Sequence, residues 1–164
     1  MKTKITLFVL LSAFILSSCG QSTSTKTAEE QTAVKETNQE LKTVLTGYFD
    51  VKNALVSDDA SKAKAAATSL TSVTGKYSGK LNESLTAISA TDDIEAQRIA
   101  FETLSITMYD LAKEGGTGQT IYKQYCPMAF NDKGAFWLSD KKEVMNPFFG
   151  SSMLRCGSVK ETIN

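Results

Sequence analysis

Apolar side chains recur at three- and four-residue steps from about Thr32 onward. Val34, Leu41, Val44, Leu45, Tyr48, Val51, Leu55 and Val56 fall on one face of a long helix. Ser57-Asp58-Asp59 breaks that pattern and offers an N-cap for a second helix over 60–73, with Ala63, Ala66, Ala67, Leu70 and Val73 on its inner side. Small residues on that side allow a close approach between helices, and Lys62 and Lys64 read as solvated. Gly75 and Gly79 make 74–80 a loop or a weak turn, after which Leu81, Leu85 and Ile88 mark a short third helix. Thr91-Asp92-Asp93 then caps the clearest helix, 94–113. Ile94, Ile99, Phe101, Leu104, Met108 and Leu111 line its apolar side, and Glu95, Arg98 and Glu102 pair along its polar side. Gly115, Gly116 and Gly118 end it. That turn follows a helix and lacks the Lys-Ser or Lys-Thr of a phosphate loop.

After Gly118 the period changes. Ile121 to Cys126 and Gly134 to Leu138 are short, aromatic and partly alternating, and Asn131-Asp132-Lys133-Gly134 between them is a turn signal, so a hairpin is expected. Asn146-Pro147 and Gly150 mark a further turn, and 153–163 reads as a short strand or a tail folding back. The fold class expected is mainly α: an antiparallel bundle of three to four helices with a small C-terminal β-hairpin or irregular aromatic subdomain. One globular domain spans 32–164, with the bundle at 32–114 and the aromatic subdomain at 119–164.

The N-terminus follows other rules. Lys2 and Lys4 precede an apolar run over 5–16, which is too short for a spanning helix of roughly twenty residues and suits a signal peptide. Leu16-Ser17-Ser18-Cys19 resembles the lipobox of bacterial lipoproteins. Residues 1–18 are then a lipoprotein-type signal peptide, Cys19 is lipidated, and 19–31, without large apolar residues, is a flexible tether. This places the chain in the cell envelope, held to the membrane by acyl chains and facing the periplasm. Gly20, standing where an inner-membrane retention Asp would be, favours the outer membrane.

Charge and composition narrow the chemistry. The 18 basic side chains, less Lys2 and Lys4, fall two short of the 18 acidic ones, so no electrostatic footprint for nucleic acid exists. No histidine occurs, which removes Ser-His-Asp and Cys-His catalysis and histidine-based zinc sites.

Sulfur is concentrated instead. Cys126-Pro127-Met128 and Met153-Leu154-Arg155-Cys156 hold both cysteines beyond Cys19, with Met145 and the only tryptophan, Trp137, between them. A thiolate and a thioether two positions apart share one side of an extended segment, and the i, i+3 pair shares one side of a helical turn. Should the two ends meet, Cys126, Met128, Met153 and Cys156 offer four soft ligands, which select Cu(I) over harder ions. Met145 is a possible additional sulfur, and Trp137 a shield for the ion. The other reading is a Cys126–Cys156 disulfide, normal in an oxidising compartment and worth roughly 3–4 kcal/mol for a loop of that length. Composition and spacing leave both open. An enzyme is the least supported class: Cys126 lacks a C-x-x-C partner, and Tyr122, Lys123, Tyr125 and Arg155 are the side chains that could in principle activate it.

The runs Tyr122-x-x-Tyr125-Cys126-Pro127-Met128, Gly134-Ala135-x-Trp137-Leu138, Asn146-Pro147-x-Phe149-Gly150 and Met153-x-x-Cys156-Gly157 form one pattern with the upstream Tyr48-Phe49-x-x-Lys52-x-Ala54-Leu55-x-x-Asp58-Asp59. Over roughly 41–163 the chain resembles a bacterial domain-of-unknown-function family, number 3347. Members of that family are exported or lipid-anchored, and similar domains accompany periplasmic adaptor subunits of copper and silver efflux systems. The resemblance therefore implies metal handling with such an adaptor as partner. The alternative is a non-catalytic envelope interaction module whose cysteines only staple the fold.

Overall fold

A computed structural model describes the backbone of residues 24–164, with side chains from Gln39 onward. The signal segment, Cys19 and Val34 expected above lie outside the described residues or side chains. Four helices come first: α1 Ser24–Val56, α2 Ala60–Thr71, α3 Ser78–Ser89 and α4 Ile94–Gly115. α1 thus begins at Ser24 rather than near Thr32, inside the segment read as tether. Each helix packs on the next and α4 returns to α1, closing a four-helix bundle. Among the described residues no helix is long and apolar enough to cross a membrane.

The caps expected from sequence are the caps found. Asp59 accepts the Lys62 N–H at 2.9 Å and starts α2, and Asp93 accepts the Glu95 N–H at 2.9 Å and starts α4. Between α2 and α3 the loop is shorter than 74–80. A single 3₁₀ turn, Gly75–Tyr77, passes directly into α3, so Gly79 sits in a helical first turn.

The core is the α1 stripe Leu41, Val44, Leu45, Tyr48, Val51 and Leu55 packed on Ala63, Ala67, Leu70, Leu81, Leu85, Ile88, Phe101, Leu104 and Met108. Ala63, Ala67 and Gly47 set the α1–α2 spacing: a Cβ on Gly47 would stand 2.8 Å from Leu70 Cδ1. Two expectations for the stripes fail, one on each of two helices. Val73 lies outside α2 and is 41% exposed, and Ile99, expected on the apolar side of α4, is 59% exposed. The buried line of α4 instead runs through Gln97, Arg98, Phe101, Leu104, Ser105, Met108 and Leu111, so Arg98 lies inside, not on the polar side.

The C-terminal region is a three-stranded antiparallel sheet, one strand more than a hairpin. β1 Ile121–Cys126 lies between β2 Ala135–Ser139 and β3 Ser158–Ile163. Gln124 pairs with Trp137 and Cys126 with Ala135 on one side, and Tyr125 pairs with Ser158 on the other. β2 packs on α4. The edge N–H of Leu138 would be buried without a partner, and Tyr48 from the bundle core supplies one: its hydroxyl accepts that N–H at 3.0 Å and shares a hydrogen bond with Ser105 Oγ at 2.7 Å. Burial pushes the Tyr48 pKa up, so it stays a neutral phenol.

Candidate functional site

The site is built where the two sulfur-bearing segments leave the sheet. Cys126 closes β1 and is fully buried. Beyond it the β1–β2 connection folds as a left-handed turn. Phe130, Asn131 and Asp132 have φ of 54°, 56° and 64°, and the Gly134 N–H closes back on the Ala129 carbonyl at 3.0 Å. Asn and Asp tolerate that region, while Phe130 pays about 1–2 kcal/mol for its Cβ. Its ring packs edge-on against Phe148, 5.2 Å between centroids, which offsets that strain. The turn carries Met128 outward, where it is 47% exposed.

The other segment is organised by Asn146, which is fully buried. Its N–H donates to the Leu154 carbonyl at 2.9 Å and its carbonyl accepts the Gly150 N–H at 3.0 Å. Its side chain accepts the Phe148 N–H at 2.8 Å and donates Nδ2 to the Cys156 carbonyl at 2.9 Å. Met153 ends a 3₁₀ turn, Gly150–Met153, and its carbonyl accepts the Cys156 N–H at 3.0 Å. Cys156 is thus fixed from both sides of its backbone.

That turn is bolted to the bundle. Arg98, 5% exposed, donates Nε to the Pro147 carbonyl at 2.9 Å, one Nη2 hydrogen to Asp58 at 2.6 Å, another to the Leu55 carbonyl at 3.3 Å, and Nη1 to Glu95 at 2.6 Å. Asp58, itself at φ 56°, accepts the Ser151 N–H on its second oxygen at 2.9 Å. A Cβ on Gly150 would collide with Asp58, so only glycine fits there. The Ser151 hydrogen bonds, and then Arg98, hold the Asp58 carboxyl below its ordinary pKa. In the sequence Asp58 stands in the Ser57-Asp58-Asp59 segment that offers the α2 N-cap. It is instead half of a latch between α1, α4 and the 146–153 loop.

The two sulfur segments meet. Cys126 and Cys156 are free thiols, and the pairing of Tyr125 with Ser158 sets the ends of their two segments side by side. The Cys126 thiol beside it, with burial, pushes Cys156 up to about 11. Met128 and Met153 line a common cleft of about 520 Å³ with Ile99, Phe130, Phe148 and Phe149 and with the charged side chains of Glu95, Arg98 and Asp132. Met128 and Met153 therefore share the cleft, whereas neither Cys126 nor Cys156 lines it.

The residues between them divide. Trp137 is fully buried, edge-on to Phe148 at 5.8 Å, and its Cη2 would lie 3.1 Å from a Cβ on Gly157, next to Cys156. Met145 is half-buried and forms no part of the cleft wall. Among the described residues no three Cys, Asp or Glu side chains converge, so the donor set offered here is sulfur, two thiols with two thioethers, rather than the oxygen set hard cations need. By type that set is soft, and of its four members the two thioethers line the cleft.

Sequence reasoning missed Arg98, Asn146 and a second buried cation, Lys52. Lys52 is 2% exposed, with Nζ 3.2 Å from Asp140 and 3.4 Å from Ser139 Oγ, and burial lowers its pKa against the pull of Asp140. The signal was present: Lys52 stands four after Tyr48 and three before Leu55, and Arg98 three before Phe101, so both occupy apolar-stripe positions. A cation on such a stripe is either a snorkelling surface residue or a buried, paired one.

No curated protein and no solved structure matches the chain. The sulfur motifs lie beyond the one matched span, which ends a residue before β1. That span, residues 44–120, covers most of the bundle and matches the model of the family described as "Protein of unknown function (DUF3347)".

Proposed function

We propose that this protein binds a soft monovalent ion, Cu(I), through Cys126, Met128, Met153 and Cys156, and serves as a chaperone or accessory of heavy-metal efflux at the cell envelope. The observation that carries the reading is the convergence of the two sulfur segments: the β1–β3 pairing sets their ends side by side, and Met128 and Met153 line one cleft. Thiolate and thioether select soft ions over hard ones. The ion has to displace the thiol protons, so its apparent affinity rises with pH. The N-terminal lipoprotein pattern around Cys19 supplies the anchor and the periplasm-facing location, and an adaptor of an efflux system is the partner that the family resemblance suggests. The role is non-catalytic. A thiol whose pKa is pushed up to about 11 carries little thiolate at neutral pH and makes a poor nucleophile.

A second reading has its own observation. Two free cysteines at the adjoining ends of paired strands also suit a disulfide staple in an envelope interaction module. A Cu(I) competition titration on the reduced full chain carrying Cys19→Ser separates the two. Metal binding predicts one tight equivalent, abolished in Cys126→Ser/Cys156→Ser and weakened in Met128→Leu/Met153→Leu. Wild-type affinity in the double serine variant would overturn it.

A further inference from the structure

The cleft beside β1 carries more than its two thioethers. Its apolar walls are half aromatic: Phe130, Phe148 and Phe149 stand with Ile99, Met128 and Met153. Ile99 and Met128 are two of the four large apolar side chains exposed to water among the described residues. The volume, about 520 Å³, falls in the range of sites that enclose a small organic molecule, roughly 300–1,000 Å³.

Charge decides which kind of molecule. Arg98 lies in the wall but is buried, and each of its three nitrogens is already bonded: Nε to Pro147, Nη1 to Glu95, Nη2 to Asp58 and Leu55. Three carboxylates, of Asp58, Glu95 and Asp132, thus face one committed guanidinium, and two of them line the cleft. The Glu95 side chain is 70% exposed, and Asp132 stands on an exposed turn. Lys133, next to Asp132, is not part of the lining. The positive end of α4 lies close to Glu95, but Asp93 already accepts two of its N–H groups. What remains open to a ligand is negative. The left-handed turn, with Phe130 at φ 54° and Asp132 at 64°, brings an aromatic ring and a carboxylate to the same wall, and such backbone clusters at binding sites.

We propose that this cleft binds a lipophilic organic cation, an aryl- or alkyl-substituted quaternary ammonium or phosphonium. Apolar walls take the substituents, phenyl rings attract a cation through their quadrupole, and thioethers pack well on aromatic groups. Glu95 and Asp132 reject an anion of the same shape. The site shares Met128 and Met153 with the soft-ion reading but uses neither cysteine, so the two are tested separately.

The test is calorimetric titration of the reduced full chain with Cys19→Ser, in sodium buffer, with tetraphenylphosphonium and with tetraphenylborate. These ions carry the same four phenyl groups and opposite charge. One equivalent of the phosphonium should bind, more weakly as salt rises, and the borate should bind at least about tenfold less tightly. Glu95→Gln/Asp132→Asn keeps the side-chain shapes and should lower phosphonium affinity about 3–10-fold, two partly exposed charges being lost. Ile99→Lys, at an exposed position, should abolish binding. Equal affinity for the two ions overturns the proposal, as does no phosphonium binding, or binding that survives Ile99→Lys unchanged. A chain that takes the phosphonium and ignores Cu(I) upholds this site and sinks the soft-ion reading alone.

Discussion

In the bundle, cohesion is spread over many apolar side chains repeated on helical stripes, from Leu41 to Leu111, and each contributes a share. In the sheet and its loops, position depends on a few buried polar side chains, each making several hydrogen bonds: Arg98 to the 146–151 loop, Asn146 to Cys156, Tyr48 to the edge of β2. The first arrangement tolerates loss of a single member. The second does not, because a deleted anchor leaves buried donors and acceptors without partners. A site that must hold two thiols and two thioethers in register sits on the second kind of scaffold.

The largest expected break in that contrast is Arg98→Met. It removes the buried half of the latch and strands the Pro147 and Leu55 carbonyls, at about 3–5 kcal/mol in urea denaturation. Hydrogen exchange should show residues 146–156 losing protection before the α1 and α4 cores. A uniform loss would mean that the two regions are one cooperative unit. Tyr48→Phe is next, at about 1–3 kcal/mol, since it keeps the ring in the core but leaves the Leu138 N–H buried and alone.

Asp58→Asn sharpens the comparison through pH. The folded carboxyl titrates below its unfolded value, so the stability it adds is complete above the ordinary carboxylate range and disappears as pH falls through the lowered folded value. Wild type should therefore exceed Asp58→Asn in urea midpoint at pH 7, and the two should converge in acid. A constant gap down to pH 2 would contradict the latch. The smallest effect belongs to the bundle surface. Lys64→Ala removes an ion pair with Asp92 whose side chains are 41% and 68% exposed, at less than about 1 kcal/mol.

How much of this was legible follows the same division. Periodicity and caps were enough for the helices: Asp59 and Asp93 cap as expected, and Met108 is core. Periodicity misassigned Ile99 because one apolar residue off the stripe looks the same, in a string of letters, as one on it. The hairpin strands were legible from alternation. The third strand was left between strand and tail, since Ser158–Ile163 alternates without strong apolar content and is recognised by pairing with β1. The sulfur positions could be named from composition, but not their meeting, which depends on Asn146 and the left-handed turn at 130–132. Polar anchors such as Arg98 act through partners distant in sequence, and a single sequence carries no trace of which carbonyls a guanidinium will find.

The central claim is that four sulfurs of this one region hold the ion. Copper-edge X-ray absorption on the reduced chain with Cys19→Ser, loaded with one equivalent of Cu(I), tests it most directly. The account predicts a first shell of sulfur alone, with fewer sulfur neighbours in Met128→Leu/Met153→Leu. A shell of nitrogen or oxygen ligands, or a spectrum unchanged by Cys126→Ser/Cys156→Ser, would contradict it.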